Sequence, residues 1–356
     1  MTTLWDPIQV GDMTLPHRMA LAPMTRSRAR PDGVPGDLAA EYYAQRASLG
    51  LLITEGVQPS EDGQGYLATP GIHSEAQAEG WRKVTTAVHA RGGRVFMQLM
   101  HVGRMSHPDN TPHHRQPVAP SAIAPGQPMF TAAGMRDIPV PRALSLQEIA
   151  DTVADFRRAA RMAVEAGADG VEIHGANGYL LHQFFAPNAN QRNDIYGGEI
   201  ANRIRFALEV VGAVADEIGP ERTAIRLSPG VSLGGIDEGP EGPTLYRELV
   251  AALAPLRLAY LHLMHAGDEH LLTDIRRTWP SILMVLRLSR TLETLDQDLR
   301  SGAADMISIG RWALANPDFV ERLRVGAPLN YPDPSTFYGG GAGGYTDYPG
   351  LVLAAA

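Results

Sequence analysis

Eight short, apolar, β-rich runs recur along the 356 residues, separated in many places by helical patterns, and this alternation constrains the fold more than any other feature. The runs are RMALAP (18–23), LLITEG (51–56), RVFMQLM (94–100), GVEIH (170–174), TAIRLSP (223–229), LAYLHLMH (258–265), ILMVLRLS (282–289) and MISIGR (306–311). Most are near-continuous in apolar character, as strands covered on both faces are. Residues 145–166 read as a helix: Ser145 and Glu148 stand at capping-box spacing, and Ile149, Val153, Phe156, Ala160 and Val164 form one stripe before Gly167. Residues 74–91 repeat the logic, with Ser74 as N-cap, Trp81, Val84 and Val88 on one face and Gly92-Gly93 at the stop. Residues 291–302, followed by the Gly302 stop, are a third case.

Eight strands alternating with helices point to an α/β chain folded as a (β/α)8 TIM barrel, with a doubly wound open sheet as the alternative. A barrel needs ~250 residues, which leaves roughly 100 for additions. Residues 7–17, PIQVGDMTLPH, read as a hairpin with a Gly-Asp turn, placed to plug the barrel bottom. Residues 103–143 are proline-rich, lack helical periodicity and follow the third strand, so they form a capping excursion at the end where barrel active sites lie. Residues 339–356 form a tail that begins glycine-rich and ends in LVLAAA, which either docks on a neighbour or stays disordered. Neither an internal repeat nor a linker marks a second domain, so residues 1–356 are expected to form one barrel domain.

The chain has no cysteine, which excludes disulfides, thiolate metal sites, iron–sulfur clusters and a cysteine nucleophile. With 31 Lys+Arg against 39 Asp+Glu the net charge is −8, and no basic block suggests nucleic acid or an anionic membrane as partner. MTTLWDPIQV lacks the basic and apolar regions of a signal peptide, and no apolar run approaches the ~18 residues of a membrane span. The expectation is a cytoplasmic protein, a monomer or small homo-oligomer.

Side chains at the C-terminal strand ends of a barrel converge on one pocket. Here they are Pro23, Met24 and Thr25; Glu55 and Gly56; Gln98 and His101; His174, with Asn177 and Tyr179 beyond; Arg226; His265; and Gly310 with Arg311. The set has no acidic cluster suited to Mg²⁺ and no evident Ser-His-Asp arrangement. It offers neutral donors, a phenol and two arginines. A Gly-Arg pair after the last strand suits a phosphate, and a Gln with an Arg can read a planar polar edge.

At this point the chain resembles the Old Yellow Enzymes, FMN-dependent ene-reductases, over nearly its whole length. The matching pieces are RMALAPMTRSRA (18–29), GQGYLATPGIHS (63–74), QLMHVGR (98–104), QPVAPSAI (116–123), the long GADGVEIHGANGYLLHQFFAPNANQRNDIYGG (167–198), NRIRF (202–206), IRLSP (225–229), ADMISIGRWALANPDFVERL (304–323) and GAPLNYPDPSTFYGGGAGGYTDYPG (326–350). The resemblance implies bound, non-covalent FMN, NADPH or NADH as hydride donor, and a small enone or nitroalkene as substrate. His174 and Asn177 resemble the pair that grips the substrate carbonyl oxygen, as an oxyanion hole grips developing charge. Taken alone, a His and an Asn at a strand end read as polar caps on the backbone; the surrounding motif favours the catalytic role. Tyr179 resembles the proton donor to the α-carbon, against the plain alternative of a half-buried loop tyrosine. Thr25 resembles the residue on the flavin C4 carbonyl in the threonine-containing branch. Gln98 and Arg226 resemble the pair on the pyrimidine edge, with a barrel salt bridge as the alternative for Arg226. Pro23, Met24 and Gly56 would give backbone contacts, Gly310 and Arg311 would bind the phosphate, and Tyr66 and Tyr338 would be pocket walls or plain packing.

The chain departs from the family pattern in three places. Met100 replaces a frequent tryptophan in the substrate pocket, Arg287-Leu288-Ser289-Arg290 stands where glycines usually approach the phosphate, and EIAN at 199–202 replaces a more usual SLEN. His262 and His265, three apart on a strand, point to opposite faces and make a poor metal pair. Other functions to weigh are a flavin enzyme of the same fold with isomerase or nitro-ester reductase activity, a non-catalytic FMN-binding protein, and a flavin-free phosphosugar isomerase or aldolase.

Overall fold

The computed structural model describes residues 2–288 and 290–351. The strands are, in chain order, β1 (Ile8–Val10), β2 (Met13–Leu15), β3 (Met19–Leu21), β4 (Leu51–Val57), β5 (Val95–Leu99), β6 (Val118–Ala119), β7 (Pro128–Thr131), β8 (Gly134–Asp137), β9 (Arg142–Ala143), β10 (Gly170–Gly175), β11 (Thr223–Leu227), β12 (Tyr260–His265), β13 (Ile282–Arg287) and β14 (Met306–Ile309). Strands β3, β4, β5 and β10 to β14 form a closed, parallel barrel. Each falls within or beside one of the eight apolar runs, so the barrel forms and the open sheet does not.

Side-chain alternation along these strands divides the core in two. Outward residues such as Leu52, Met97, Ile173, Leu261 and Ile307 pack with the helices in the main cluster. Inward residues Ile53, Phe96, Ala224, Tyr260, Met284 and Met306 form a second cluster, which Ile8, Val10 and Leu15 of the β1–β2 hairpin join. The hairpin thus closes the lower end of the lumen. Burying a Leu or Ile in either layer is worth about 1.5–3 kcal/mol.

The expected capping box at Ser145 forms, and the Ser74 N-cap proves to be a capping box as well. Ser74 caps Glu75–His89 and Ser145 caps Leu146–Glu165, each with its N3 side chain returning to the cap. In the second helix the buried stripe runs through Ile149, Thr152, Phe156, Ala159, Ala160 and Ala163, while Val153 and Val164 are only half-buried. Small alanines face the barrel because the helix approaches it closely. The expected helix at 291–302 is instead a 3-10 turn, Leu292–Thr294, and a short helix, Gln297–Ser301, ending at Gly302 with φ +75°. Arg290 and Arg287 pull on Asp298 there, and this ion cluster competes with a continuous helix.

The 103–143 excursion contains the β7–β8 hairpin and the β6–β9 pair. Its Met105, Met129 and Ile138 form a small cluster with Met100 and Val102, against which Tyr66 and Tyr179 pack. The segment from 333 to 349 is tied to the first barrel strand by Arg26, which donates to the carbonyls of Phe337 and Gly344 at 3.0 and 2.8 Å. Tyr345 stacks on Tyr42 at 4.2 Å. The expectation for the final LVLAAA falls outside the described residues beyond Leu351.

Candidate active site

The upper ends of the barrel strands enclose a cavity of about 330 Å³ lined by Pro23, Met24, Thr25, Gln98, Met100, His174, Asn177, Tyr179, Arg226 and Arg311, with Met264, Leu286, Leu314, Phe337 and Tyr338 completing the wall. It shares Pro23, Met24, Leu286 and Arg311 with a second cavity of about 340 Å³ that extends along β13 and β14 and includes Gly310, Ser308, Arg287 and Arg290. Together they make one trough across the barrel mouth. Two expected residues stand off its lining. Gly56 lies at a β-bulge in β4, where an added Cβ would sit 2.4 Å from the Met100 thioether; it makes room for Met100 instead of presenting itself to the cavity. Tyr66 stands behind Tyr179, its hydroxyl 3.2 Å from the Tyr179 hydroxyl.

His174 is the last inward residue of β10. Its Nδ1 accepts the Ala176 N–H at 3.2 Å, so the neutral ring carries its proton on Nε2. Burial, reinforced by Arg226, drives its pKa well below the usual imidazole range, and the ring stays a neutral donor. The chain then turns sharply. Asn177 adopts φ +56° and its N–H donates to Ser228 Oγ at 2.9 Å. Gly178 follows at φ +83°, where a Cβ would lie 2.3 Å from the Leu233 carbonyl oxygen. The helix Leu180–Phe185 fixes this turn from below: His182 Nδ1 accepts the Gly178 N–H at 3.1 Å and Gln183 Nε2 donates to the Gly178 carbonyl at 2.7 Å. Tyr179 is thereby held edge-on to His174, ring centroids 4.9 Å apart. Burial and the neighbouring Tyr66 raise the Tyr179 pKa well above the ordinary phenol range, so it is a protonated hydroxyl.

Thr25 precedes Arg26, whose N–H donates to Glu55 Oε2 at 2.9 Å. Burial pushes the Glu55 carboxyl up to about 7, against the pull of Arg26. On the floor, Arg226 is buried and its Nε has no hydrogen-bond partner among the described residues; Asn177 Oδ1 is in the same condition.

Below the floor lies a residue that the strand-end reading passed over. Glu172, two positions before His174 on β10, points into the lumen with no exposure. It accepts a hydrogen bond from Gln98 Nε2 at 2.7 Å and lies 2.9 Å from His262 Nδ1. Parity with His174 was the available signal: a charged residue on the inward face of a buried strand. His262 therefore belongs to this inner layer, whereas His265 stands at the rim near Asp268 and Arg287.

At the far end of the trough, the arginines of the 287–290 run are already partnered. Arg287 pairs with Glu269 and with Asp298, and Arg290 with Asp298 at 2.7 Å. Ser289 lies outside the described residues. Arg311 is exposed beside Gly310 and is the cation that the cavity shares with the His174 end. Among the described residues no group of three or more His, Asp or Glu is placed to hold a metal ion, and no helix is long and apolar enough to cross a membrane.

Comparison with known proteins gives the family. Residues 3–330 match the family model described as NADH:flavin oxidoreductase / NADH oxidase. The chain is 41% identical over 366 residues to 12-oxophytodienoate reductase 2 of Arabidopsis thaliana, covering 99% of this chain and 96% of that protein. It is 40% identical over 353 residues to a probable flavin mononucleotide-dependent alkene reductase of Leishmania infantum, covering 96% of each. Among solved structures, morphinone reductase in complex with tetrahydroNAD superposes with a TM-score of 0.94 at 45% identity, covering 98% of both chains. The old yellow enzyme homologue from Zymomonas mobilis gives 0.93 at 42% identity, covering 98% of this chain and all of the other (100%). The chain belongs to the NADH:flavin oxidoreductase / NADH oxidase family, the Old Yellow Enzymes, and is an FMN-dependent oxidoreductase that takes its hydride from NAD(P)H.

Proposed function

We propose that this enzyme reduces the activated C=C bond of α,β-unsaturated carbonyl compounds or nitroalkenes. The observation that carries the reading is one turn holding a neutral His174 with a free Nε2–H, Asn177 and a protonated Tyr179 around one cavity. The names of the Arabidopsis, Leishmania and morphinone reductase relatives support it.

The trough fits FMN. Arg226 brings an unpartnered buried N–H to the floor, Gln98 and Thr25 flank it, and Arg311 with Gly310 stands at the opposite end, suited to a phosphate. Bound there, FMN supplies hydride taken from NAD(P)H to the β-carbon of the substrate. His174 and Asn177 donate to the carbonyl or nitro oxygen on which charge then develops; such donors, fixed beforehand, are worth ~3–4 kcal/mol each when truncated. Tyr179 gives its phenolic proton to the α-carbon, and the adjacent Tyr66 hydroxyl offers a route for replacing it. Met100 under the rim and Tyr338 at the mouth shape the space left for substrate.

Tyr179→Phe tests this assignment. With 2-cyclohexenone, oxidation of the reduced enzyme is expected to slow by about 10²–10⁴-fold, far more than reduction by NADPH. Equal slowing of both halves, or none, would remove Tyr179 from the proton transfer.

A further inference from the structure

A line of polar side chains runs beneath the trough, and beyond its first member, Gln98, the reduction chemistry leaves it without a role. Gln98 on β5, Glu172 on β10, His262 on β12 and Ser308 on β14 project inward, none more than 5% exposed. Gln98 Nε2 donates to Glu172 Oε1 at 2.7 Å, His262 Nδ1 lies 2.9 Å from Glu172 Oε2, and His262 Nε2 lies 2.8 Å from Ser308 Oγ. Gln98 faces the cavity at the His174 end and Ser308 the one at the Arg311 end. The line therefore crosses the lumen directly under the floor.

A carboxylate removed from water costs several kcal/mol unless hydrogen bonds and opposite charge offset it. Burial pushes Glu172 up, but His262, Arg226 and Gln98 outweigh it and its pKa ends below the ordinary value. Burial keeps His262 neutral. A neutral His262 donates Nδ1–H to the carboxylate and accepts the Ser308 hydroxyl on Nε2. Every hydrogen bond in the line then has a defined donor, and all of them point towards the Glu172 carboxylate.

That direction fixes the Gln98 amide. Turning it over would set Oε1 against the Glu172 carboxylate, two acceptors at hydrogen-bond distance. Gln98 thus keeps its carbonyl oxygen, an acceptor, free for the cavity. Arg226, on β11 and so separated from Gln98 by the strand that carries Glu172, shows donors only, and its charge is felt by Glu172. Acceptor beside donor is the complement of an N–H flanked by a carbonyl, which is the pyrimidine edge of a flavin.

We propose that Glu172 is a positioning residue for the flavin: it locks Gln98 as an acceptor for the ring N3–H and offsets the charge of Arg226, so that it sets both the edge accepted and the balance between oxidised and reduced FMN. The proposal rests on the reading of Gln98 and Arg226 as the pair that meets the ring.

The test is the midpoint potential of bound FMN in the holoenzyme. Glu172→Gln keeps the size and removes the charge. Arg226 is then uncompensated, and the more negative reduced flavin is favoured. We expect its affinity relative to oxidised FMN to rise about tenfold, a positive shift of about 30 mV for a two-electron couple. Glu172→Asp retains the charge and should stay near the wild-type potential. An unchanged or lower potential in Glu172→Gln, or an equal rise in Glu172→Asp, overturns the proposal. A second measurement needs no variant: wild-type apoprotein should bind N3-methyl-FMN at least tenfold more weakly than FMN, and equal binding overturns the acceptor role of Gln98. Failure of the wild type to bind FMN at all would sink the cofactor reading and this proposal with it, whereas normal binding with an unmoved potential removes only Glu172.

Discussion

His174 works through a proton it keeps rather than one it gains. Its Nδ1 is taken by the Ala176 N–H, so the only proton of the neutral ring is on Nε2. Burial holds several other histidines to the same neutral state, most firmly His101, pushed down to about 4, with His262, His17 and His73 shifted the same way. The sign for stability follows directly. Between the folded pKa and the unfolded value of about 6.5, the unfolded chain binds protons that the native chain refuses. The contribution is fully present above pH 6.5 and is lost as pH falls towards 4. For His101 alone it amounts to about 3 kcal/mol. His101 Nδ1 accepts the Gly103 N–H at 3.1 Å; denaturant unfolding followed at pH 7 and at pH 4.5 should show a smaller loss in His101→Asn than in wild type, because Asn can also accept that N–H and carries no titrating proton. Parallel losses in the two proteins would contradict the buried neutral state of His101.

At the scale of elements, the catalytic turn depends on two short pieces that meet it from opposite sides. The helix Leu180–Phe185 grips Gly178 through His182 and Gln183. His182 is itself held by Glu238 at 2.7 Å, and the 233–235 turn that packs against Gly178 is held by Arg104, which donates to the Gly234 and Gly235 carbonyls at 3.2 and 3.1 Å. Gly178→Ala places a methyl into the Leu233 carbonyl at a positive φ. It should destabilise the protein by about 1–3 kcal/mol and lower enone turnover at least tenfold, with FMN still bound. Wild-type turnover would show that the turn is not what places Asn177 and Tyr179. The strands were legible because two-sided burial writes itself as apolar runs, and the helix caps at Ser74 and Ser145 because their chemistry is local. The broken helix at 291–302 was not legible, because the ion cluster of Arg287, Arg290 and Asp298 joins residues from separate elements.

For the whole molecule, the barrel turns strand-end positions into neighbours, and this is why most of the trough was readable before the structure. Thr25, the Gln98–Met100 pair, His174, Arg226 and Arg311 come from five separate stretches of the sequence and line one cavity. What the sequence concealed are pairings with no local period: Gln98 with Glu172, Glu172 with His262, Tyr66 with Tyr179, and Met100 over Gly56. Each needs the closed barrel or the folded cap to exist. The central claim is that this one trough holds FMN, accepts hydride and passes it to an enone bound by His174 and Asn177. The most direct measurement is the visible spectrum of the purified holoenzyme under anaerobic conditions, recorded before NADPH, after one equivalent of it, and again after 2-cyclohexenone. The account predicts an oxidised flavin band that bleaches with NADPH and returns with the enone. A band that bleaches and does not return with this or other enones would contradict the proposed C=C reduction.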